Sequence, residues 1–565
     1  MDIFQKHIVR TISKVVGKKI DNALLEVPPN PEMGDYAFPC FTLSKKLKKS
    51  PNEIAQDIGK NIELNKYIRE VKIIGPYINF FVNKKTLAEI VLKEIFSKKS
   101  KYGSAKKKSS KVMIESPGPN TNKPLHLGHV RNMVLGNSLV NIYKFLGYKT
   151  IRVDIVNDRG VHICKSMLAY KKYGKSKLPN KKPDHFVGDF YVKYNKELPK
   201  HPEFEDEIKD MLRKWEDNDP EIRKLWKKMN NWAIKGIQET YIRYGVKIDK
   251  AYYESNHYNA GKNIVLQGLK KGLFEKDENG NIIVDLEKDK LGRKVILRAD
   301  GTSVYITQDI ALAKLRYQDY KMDKMIYIVA NEQNHHFKAL FKLFEILKYP
   351  FAKNCYHLAY GMVYLPEGKM KSREGIVVDA DNLADQIHNY AEKEIKKRYK
   401  KITKKELEKR AETIGMGAIK FFILKYDPMK DFVFNPKESL SFDGETGPYV
   451  QYTHARCNSV LKKYNKPVTM KVDFSLLKEE EERIILNLLY QFPTVIEKAA
   501  EFYKPSLITR HLLDLSQSFN EYYHKHKFIQ EDKDLEKARI LLVSSVKQVL
   551  EIGLNLLGIS APDVM

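Results

Sequence analysis

The sequence predicts an α/β fold, a doubly wound parallel sheet with a helical insertion, preceded by an α+β domain and followed by an all-α domain. Three observations carry this expectation. The stretch at residues 115–131, ESPGPNTNKPLHLGHVR, lies between the short apolar run Val112-Met113-Ile114 and an apolar stretch at 133–146. Strand, loop of Pro, Gly and Asn, then helix is the opening unit of a doubly wound sheet, whose loops bind ligand at the carboxyl ends of the strands. The same strand–helix alternation returns in KVILRADGTSVYITQDIALAKLR and again in KMIYIVANEQNHHFKALFKLFEIL. Between these parts, about residues 165–250 are charged, aromatic and mostly helical, as an insertion between two halves of a nucleotide fold would be.

In chain order, residues 1–105 form the first expected domain. The opening MDIFQKHIVRTISKVVGKK is amphipathic and basic but has neither the apolar core nor the cleavage site of a signal peptide. A transit peptide is a weaker alternative, because ordered-looking sequence begins so soon. VPPNPEMGDYAFPCF punctuates the chain before a helix near Pro51, and VKIIGPYINFFV alternates around a turn at Gly75-Pro76, as paired strands do. Residues 1–110 hold 22 Lys and Arg against 11 Asp and Glu and no catalytic constellation, so this domain is expected to bind something acidic. SKKSKYGSAKKKSSK follows as a basic hinge. The whole chain, 565 residues at a formal charge of +29, points to a polyanion partner, with a lysine-rich proteome as the alternative cause.

The second domain is expected at 111–380. In its first loop His126 and His129 stand three apart at a helix start, so the imidazoles share one face. Free backbone N–H groups and the positive end of the helix dipole point the same way, which suits a triphosphate. Gly128 lets a flat base approach the backbone. A metal site is the competing reading, and it needs a third ligand that is not nearby in sequence. The insertion holds all three tryptophans, Trp215, Trp226 and Trp232, expected to pack it. Asp309 stands where an acid N-caps a helix. GKMKSREG, at 368–375, has glycines at both ends, as a mobile loop would, with Lys369 and Lys371 able to neutralise departing pyrophosphate. A connecting helical segment, 381–446, is lysine-rich. The last domain, 447–565, opens with GPYVQYTHAR, where Tyr449, Gln451, Tyr452 and Arg456 offer stacking faces and donors to unpaired bases; packing within a helical bundle is the alternative. Residues 441–565 carry 16 Lys and Arg against 17 Asp and Glu, so bulk charge cannot drive binding there. Cys40, Cys164, Cys355 and Cys457 form no CxxC pair, which fits a reducing cytoplasm and argues against structural zinc. No apolar run approaches a membrane span.

HLGH within PNTNKPLHLGH resembles the first signature of the class I aminoacyl-tRNA synthetases, and its surroundings resemble the arginyl-tRNA synthetases. GKMKSREG is similar to the second signature. MGDYAFPCF and GPYINFFV resemble the N-terminal additional domain of that family, and GPYVQYTHAR the start of its α-helical anticodon-binding domain. The resemblance implies a Rossmann-type catalytic domain that uses arginine, ATP with substrate-associated Mg²⁺ and tRNA(Arg), with no structural metal. It also implies a cytoplasmic monomer that contacts no membrane.

Carried over residue by residue, the resemblance implies that His126, His129, Lys123 and Lys369 are catalytic. ATP would meet His126, Gly128, His129, Lys369, Met370 and Lys371. Arginine would meet Gly118, Pro119, Asn120, His129, Glu254, Tyr305, Asp309 and Gln333. Tyr305 and Asp309 match the family's YxTxD, and a carboxylate can meet a planar guanidinium bidentately. The chain departs from the pattern twice. Ser372 stands where the class has a lysine, and Lys123 precedes the histidine signature as in arginyl enzymes that lack that lysine. Gly118 stands where serine is common. Rival readings are a class I synthetase for another amino acid, a small nucleotidyltransferase, and a non-catalytic tRNA-binding relative.

Overall fold

The computed structural model describes residues 3–21, 24–28, 30–364, 379–399 and 401–565. The chain forms two units, one of residues 1–102, 456–492 and 514–549, the other of residues 103–455, 493–513 and 550–565.

In the first unit the helix Ile3–Val16 buries Phe4, Ile8, Val9 and Ile12, one face at helical spacing. Strands β1 (Tyr36–Pro39), β2 (Ile68–Ile74) and β3 (Tyr77–Val82) make an antiparallel sheet in the order β1-β3-β2. Gly75 makes the expected turn between β2 and β3 at φ +58°, a conformation glycine adopts without steric cost. The helix Pro51–Lys60 starts in a capping box. The Ser50 hydroxyl accepts from the Glu53 N–H, the Glu53 carboxylate accepts from the Ser50 N–H, and Pro51 occupies the first turn.

The second unit is built on strands β4 (Lys111–Glu115), β5 (Lys149–Val156) and β6 (Lys250–Tyr253). A small antiparallel sheet follows, of β7 (Glu275–Lys276), β8 (Ile282–Asp285) and β9 (Arg293–Leu297), and then β10 (Lys324–Ala330) and β11 (Cys355–Tyr360). The main sheet has the order β11-β10-β4-β5-β6 with every pair parallel. The chain runs outward from β4 through β5 to β6, then returns to β10 on the other side of β4. The reversal lies between β4 and β10, and ligands bind at the carboxyl ends of the strands there. Val112, Met113 and Ile114 are all buried, because helices cover both faces of a parallel sheet.

The helix Leu127–Phe145 after β4 is buried along most of its length, and even Arg131 is fully enclosed. Its guanidinium donates to the carbonyls of Gly361 (2.5 Å), Pro428 (2.8 Å) and Lys430 (2.7 Å), which satisfies a charge that could not otherwise be buried.

The insertion is four helices between β5 and β6, Val161–Tyr173, Pro183–Glu197, Phe204–Glu216 and Pro220–Tyr244, with a core of their own. Trp215 is in that core and Trp226 and Trp232 pack against it, as expected from the sequence. All four cysteines are free thiols. Among the described residues no helix is long and apolar enough to cross a membrane.

Candidate active site

The first loop ends with His126 as the N-cap of the helix Leu127–Phe145. His126 Nδ1 accepts the Gly128 N–H at 3.2 Å, and His129 Nδ1 accepts the His126 N–H at 3.2 Å. Two orphan donors of the helix start are thereby satisfied by imidazoles. An Nδ1 that accepts carries no proton, so each ring holds its proton on Nε2. Burial pushes His126 down to about 3 and His129 well below the ordinary histidine range, with Lys123 adding to both shifts. The pair is therefore neutral at physiological pH and offers two Nε2–H donors, with ring centroids 4.0 Å apart. A Cβ on Gly128 would meet the His126 ring at 3.0 Å, so the glycine is what lets that ring fold over the helix start. Lys123 has no hydrogen bond or ion pair among the described residues, and burial lowers its ammonium from the ordinary lysine value. One desolvated cation and two neutral donors at a helix N-terminus make a fitting cradle for a triphosphate.

Gly118, Pro119 and Asn120 lie along the end of β5. Asp154, buried in that strand, accepts the Gly118 N–H at 2.9 Å and the Tyr241 hydroxyl at 2.8 Å, and burial pushes its carboxyl up to about 6. The Asn157 N–H donates to the Pro119 carbonyl at 2.9 Å, next to a bridge between Asn120 and Asn157. Gly118 has φ +75°, where a serine would be strained, so the departure at this position matches the backbone this chain adopts.

Glu254 follows β6 at the start of the short helix Glu254–His257, and Asp309 projects from the helix Tyr305–Tyr320. Both line a small cavity with Tyr252, Tyr258 and Gln308. Glu254, Tyr305 and Asn120 also line a neighbouring cavity of 810 Å³. Burial pushes the Glu254 carboxyl up to about 7, and the charges of Asp158 and Asp309 push the same way while Arg159 opposes them. No hydrogen bond or ion pair meets the Glu254 carboxylate among the described residues.

Asp309 is not a helix cap, contrary to the spacing argument. Val304 is the N-cap and Tyr305 the first helical residue, so Asp309 sits one turn in, where it accepts from His336 Nε2 at 2.7 Å. Tyr305 is 76% exposed. Gln333 is exposed in the turn Asn331–Gln333 after β10, three residues before His336. Sequence reasoning missed Asp154, Asp158 and His336. The polar run NDRG at 157–160, directly after β5, is a visible signal for Asp158, whereas nothing local marks His336.

Residues 91–436 match the catalytic domain of class I (R) tRNA synthetases, 450–565 the DALR anticodon binding domain, and 2–82 the arginyl tRNA synthetase N-terminal domain. The chain is 46% identical to the arginine–tRNA ligase of Treponema denticola, covering 100% of this chain and 99% of that one. It is 42% identical to that of Treponema pallidum, with 98% of each covered. The solved Thermus thermophilus arginyl-tRNA synthetase superposes with a TM-score of 0.86 at 26% identity, over 99% and 100% of the two chains. The chain belongs to the arginyl-tRNA synthetase family. The matched catalytic domain takes in every candidate from Gly118 to Gln333. A Mycobacterium tuberculosis methionyl-tRNA synthetase, at 10% identity and a TM-score of 0.51, shares the fold alone.

Lys369, Met370, Lys371 and Ser372, in the stretch similar to the synthetases' second signature, lie outside the described residues. The expected tRNA contacts fall on the helix Gly447–Tyr464. Gln451 is corrected. It is fully buried, its Nε2 donates to the carbonyls of Ser560 at 2.8 Å and Thr413 at 3.3 Å, and its amide packs against Gly417. Tyr449, Tyr452 and Arg456 are half-buried on another face of this helix. Arg456 donates to Asn520 Oδ1 at 2.5 Å and lies 4.7 Å from the Tyr523 ring centroid.

Proposed function

We propose that the chain is an arginine–tRNA ligase whose arginine pocket is closed by Glu254 and Asp309. The observation that carries this reading is the pair of carboxylates lining one cavity, with no hydrogen bond or ion pair at the Glu254 carboxylate among the described residues and only the nearby charge of Arg159 favouring its ionised form. A guanidinium placed between them relieves their repulsion and supplies planar donors to both.

In the first step a carboxylate oxygen of arginine attacks the α-phosphate of ATP in line. A P–O bond forms to give arginyl-adenylate, the bond to the β-phosphate breaks, and pyrophosphate leaves with the electron pair. The Nε2–H groups of His126 and His129 stabilise charge that grows on the phosphate oxygens, and Lys123 with Lys369 stabilises the departing pyrophosphate. Mg²⁺ enters with ATP as part of that substrate. In the second step the terminal ribose hydroxyl of tRNA(Arg) attacks the activated carbonyl, and AMP leaves. The chain does this by positioning and electrostatics, with no covalent bond to itself.

For the tRNA, the first unit offers a groove lined by His7, Arg10, Lys14 and Lys66, where His7 stacks on Tyr67 at 3.6 Å between centroids. Cations interleaved with an aromatic pair suit a phosphate backbone with nearby bases. Tyr449, Tyr452 and Arg456 remain the candidates for contacts to unpaired bases. The reading has the chain work as a monomer in a reducing cytoplasm.

ATP–pyrophosphate exchange tests the function. With each amino acid in turn, and with and without tRNA, exchange should occur with arginine alone and require tRNA(Arg). Exchange with another amino acid would place the chain in a sister specificity, and no exchange with any would make it a binding relative.

Two expected results follow from this geometry. Lys123→Ala should slow adenylate formation about a hundredfold while leaving ATP affinity nearly unchanged, because a lysine aimed at leaving pyrophosphate acts mainly in the transition state. Placing a lysine at 372 in that variant should recover part of the rate. Pre-steady-state adenylate formation at saturating ATP, arginine and tRNA measures this, and equal rates would leave Lys123 without a catalytic role.

The second result concerns pH. Glu254 takes up a proton as pH falls through about 7, and the protonated form no longer attracts a guanidinium. Arginine affinity should therefore weaken as pH falls through neutrality. The histidine pair, held neutral far below that range, contributes no such limb. A kcat/KM profile for arginine that is flat from mild acid to mild alkali would remove Glu254 from the pocket.

A further inference from the structure

We propose that Arg159 is a positioning residue of the arginine pocket, fixing the segment that carries Glu254 against the helical insertion. The proposal rests on the reading of Glu254 as a ligand of the substrate guanidinium. Asp158 and Arg159 are neighbours in the run NDRG at 157–160 after β5, and between them they contact Ser255 and Tyr258. Asp158 accepts the Ser255 N–H at 2.8 Å through Oδ1 and the Ser255 hydroxyl at 2.7 Å through Oδ2. The Arg159 guanidinium lies 3.9 Å from the Tyr258 ring centroid and 5.1 Å from that of Trp215. The Tyr258 N–H donates to the Glu254 carbonyl at 3.0 Å, so holding Tyr258 also holds the turn that aims Glu254.

On its far side Arg159 is ion-paired with Glu216, on the insertion helix Phe204–Glu216. Its side chain is only 9% exposed, and Nε is buried without a hydrogen-bond partner. Yet Arg159 and Glu216 both line the 810 Å³ cavity that Glu254 and Tyr305 also line. Burying a cation at the wall of a cavity is costly, and here the ion pair with Glu216 offsets part of that cost. Two roles fit. The planar guanidinium joins the insertion to the Glu254 segment by stacking and an ion pair at once, which a lysine cannot do equally well. Its charge also opposes Asp158 and Asp309, the acids that disfavour ionised Glu254. Without Arg159, Glu254 would swing more freely and stay protonated to higher pH.

The test uses the full-length chain with tRNA in ATP–pyrophosphate exchange, measured across neutral pH. Arg159→Met should raise KM for arginine roughly ten- to a hundredfold, the scale of a misplaced binding group, with KM for ATP unchanged. It should also move the acid limb of kcat/KM for arginine to higher pH. Arg159→Lys keeps the charge but loses the stack, so KM should rise less and the limb should stay in place. Glu216→Gln cuts the link to the insertion and should raise KM, and it decides the matter with Arg159→Lys if Arg159→Met does not fold. The proposal is overturned if the folded variants keep the parental KM and limb, with only thermal stability lowered. Glu254→Gln separates the two readings. If it leaves KM for arginine unchanged, the pocket itself is misassigned; if it raises KM while the Arg159 and Glu216 variants do not, only the positioning role fails.

Discussion

Asp309→Asn should weaken arginine binding by about 2–5 kcal/mol, the loss typical of removing one partner from a desolvated charge pair. Asparagine keeps the shape and one acceptor, so the helix Tyr305–Tyr320 should stay intact, all the more because Val304 and not Asp309 is its N-cap. What is lost is the charge opposite the guanidinium. The effect should appear in KM for arginine, with KM for ATP and the melting temperature nearly unchanged. The contact from His336 Nε2 supplies the competing explanation. If Asp309 serves only to hold His336, the melting temperature should fall and KM for arginine should hold. Steady-state exchange kinetics with arginine as the varied substrate, paired with a thermal melt, separates the two.

His129→Ala should lower kcat by about a hundredfold or more, the size of losing one preorganised donor to a developing oxyanion. The Nδ1 contact to the His126 N–H is a cap, and its loss should cost on the order of 1 kcal/mol of stability. The two effects are separable because a cap acts on folding and Nε2–H acts on the transition state. Single-turnover adenylate formation, on protein shown to be folded by circular dichroism, measures the second alone. A rate equal to the parent's would take His129 out of the reaction.

The contrast between the histidine loop and the proposed arginine pocket shows what a sequence carries. His126, Gly128 and His129 are legible because their geometry is local. A strand, a loop and the first turn of one helix fix where both rings go, and the backbone N–H groups of that same turn fix their tautomers. Glu254 and Asp309 meet only after β6 and the helix Tyr305–Tyr320 have packed against one sheet. The resemblance could name them, but spacing alone suggested a cap for Asp309. The helix in fact starts one turn earlier. The side chain of Thr307 accepts the Val304 N–H at 3.3 Å, which closes the first turn ahead of Asp309.

Gln451 is a different kind of miss, since its position along the helix already carried the information. Residues 449, 452 and 456 are three and four apart and share one helix face, whereas 451 lies well round from them. The period of 3.6 by itself separates the buried amide from the half-exposed tyrosines.

The sequence by itself determined the doubly wound fold, the helical insertion with its tryptophan core, and the histidine loop proposed to cradle phosphate, because each follows from periodicity and turn chemistry within a short stretch. Only the tertiary structure decided that the Glu254 carboxylate has no hydrogen bond or ion pair among the described residues, that Asp309 is paired with His336, and that Arg159 touches both the insertion and the Glu254 segment. Those facts depend on desolvation and on charges brought together from segments tens of residues apart. The cost of burying a carboxylate is set by every element around it, and no window of the sequence contains them all.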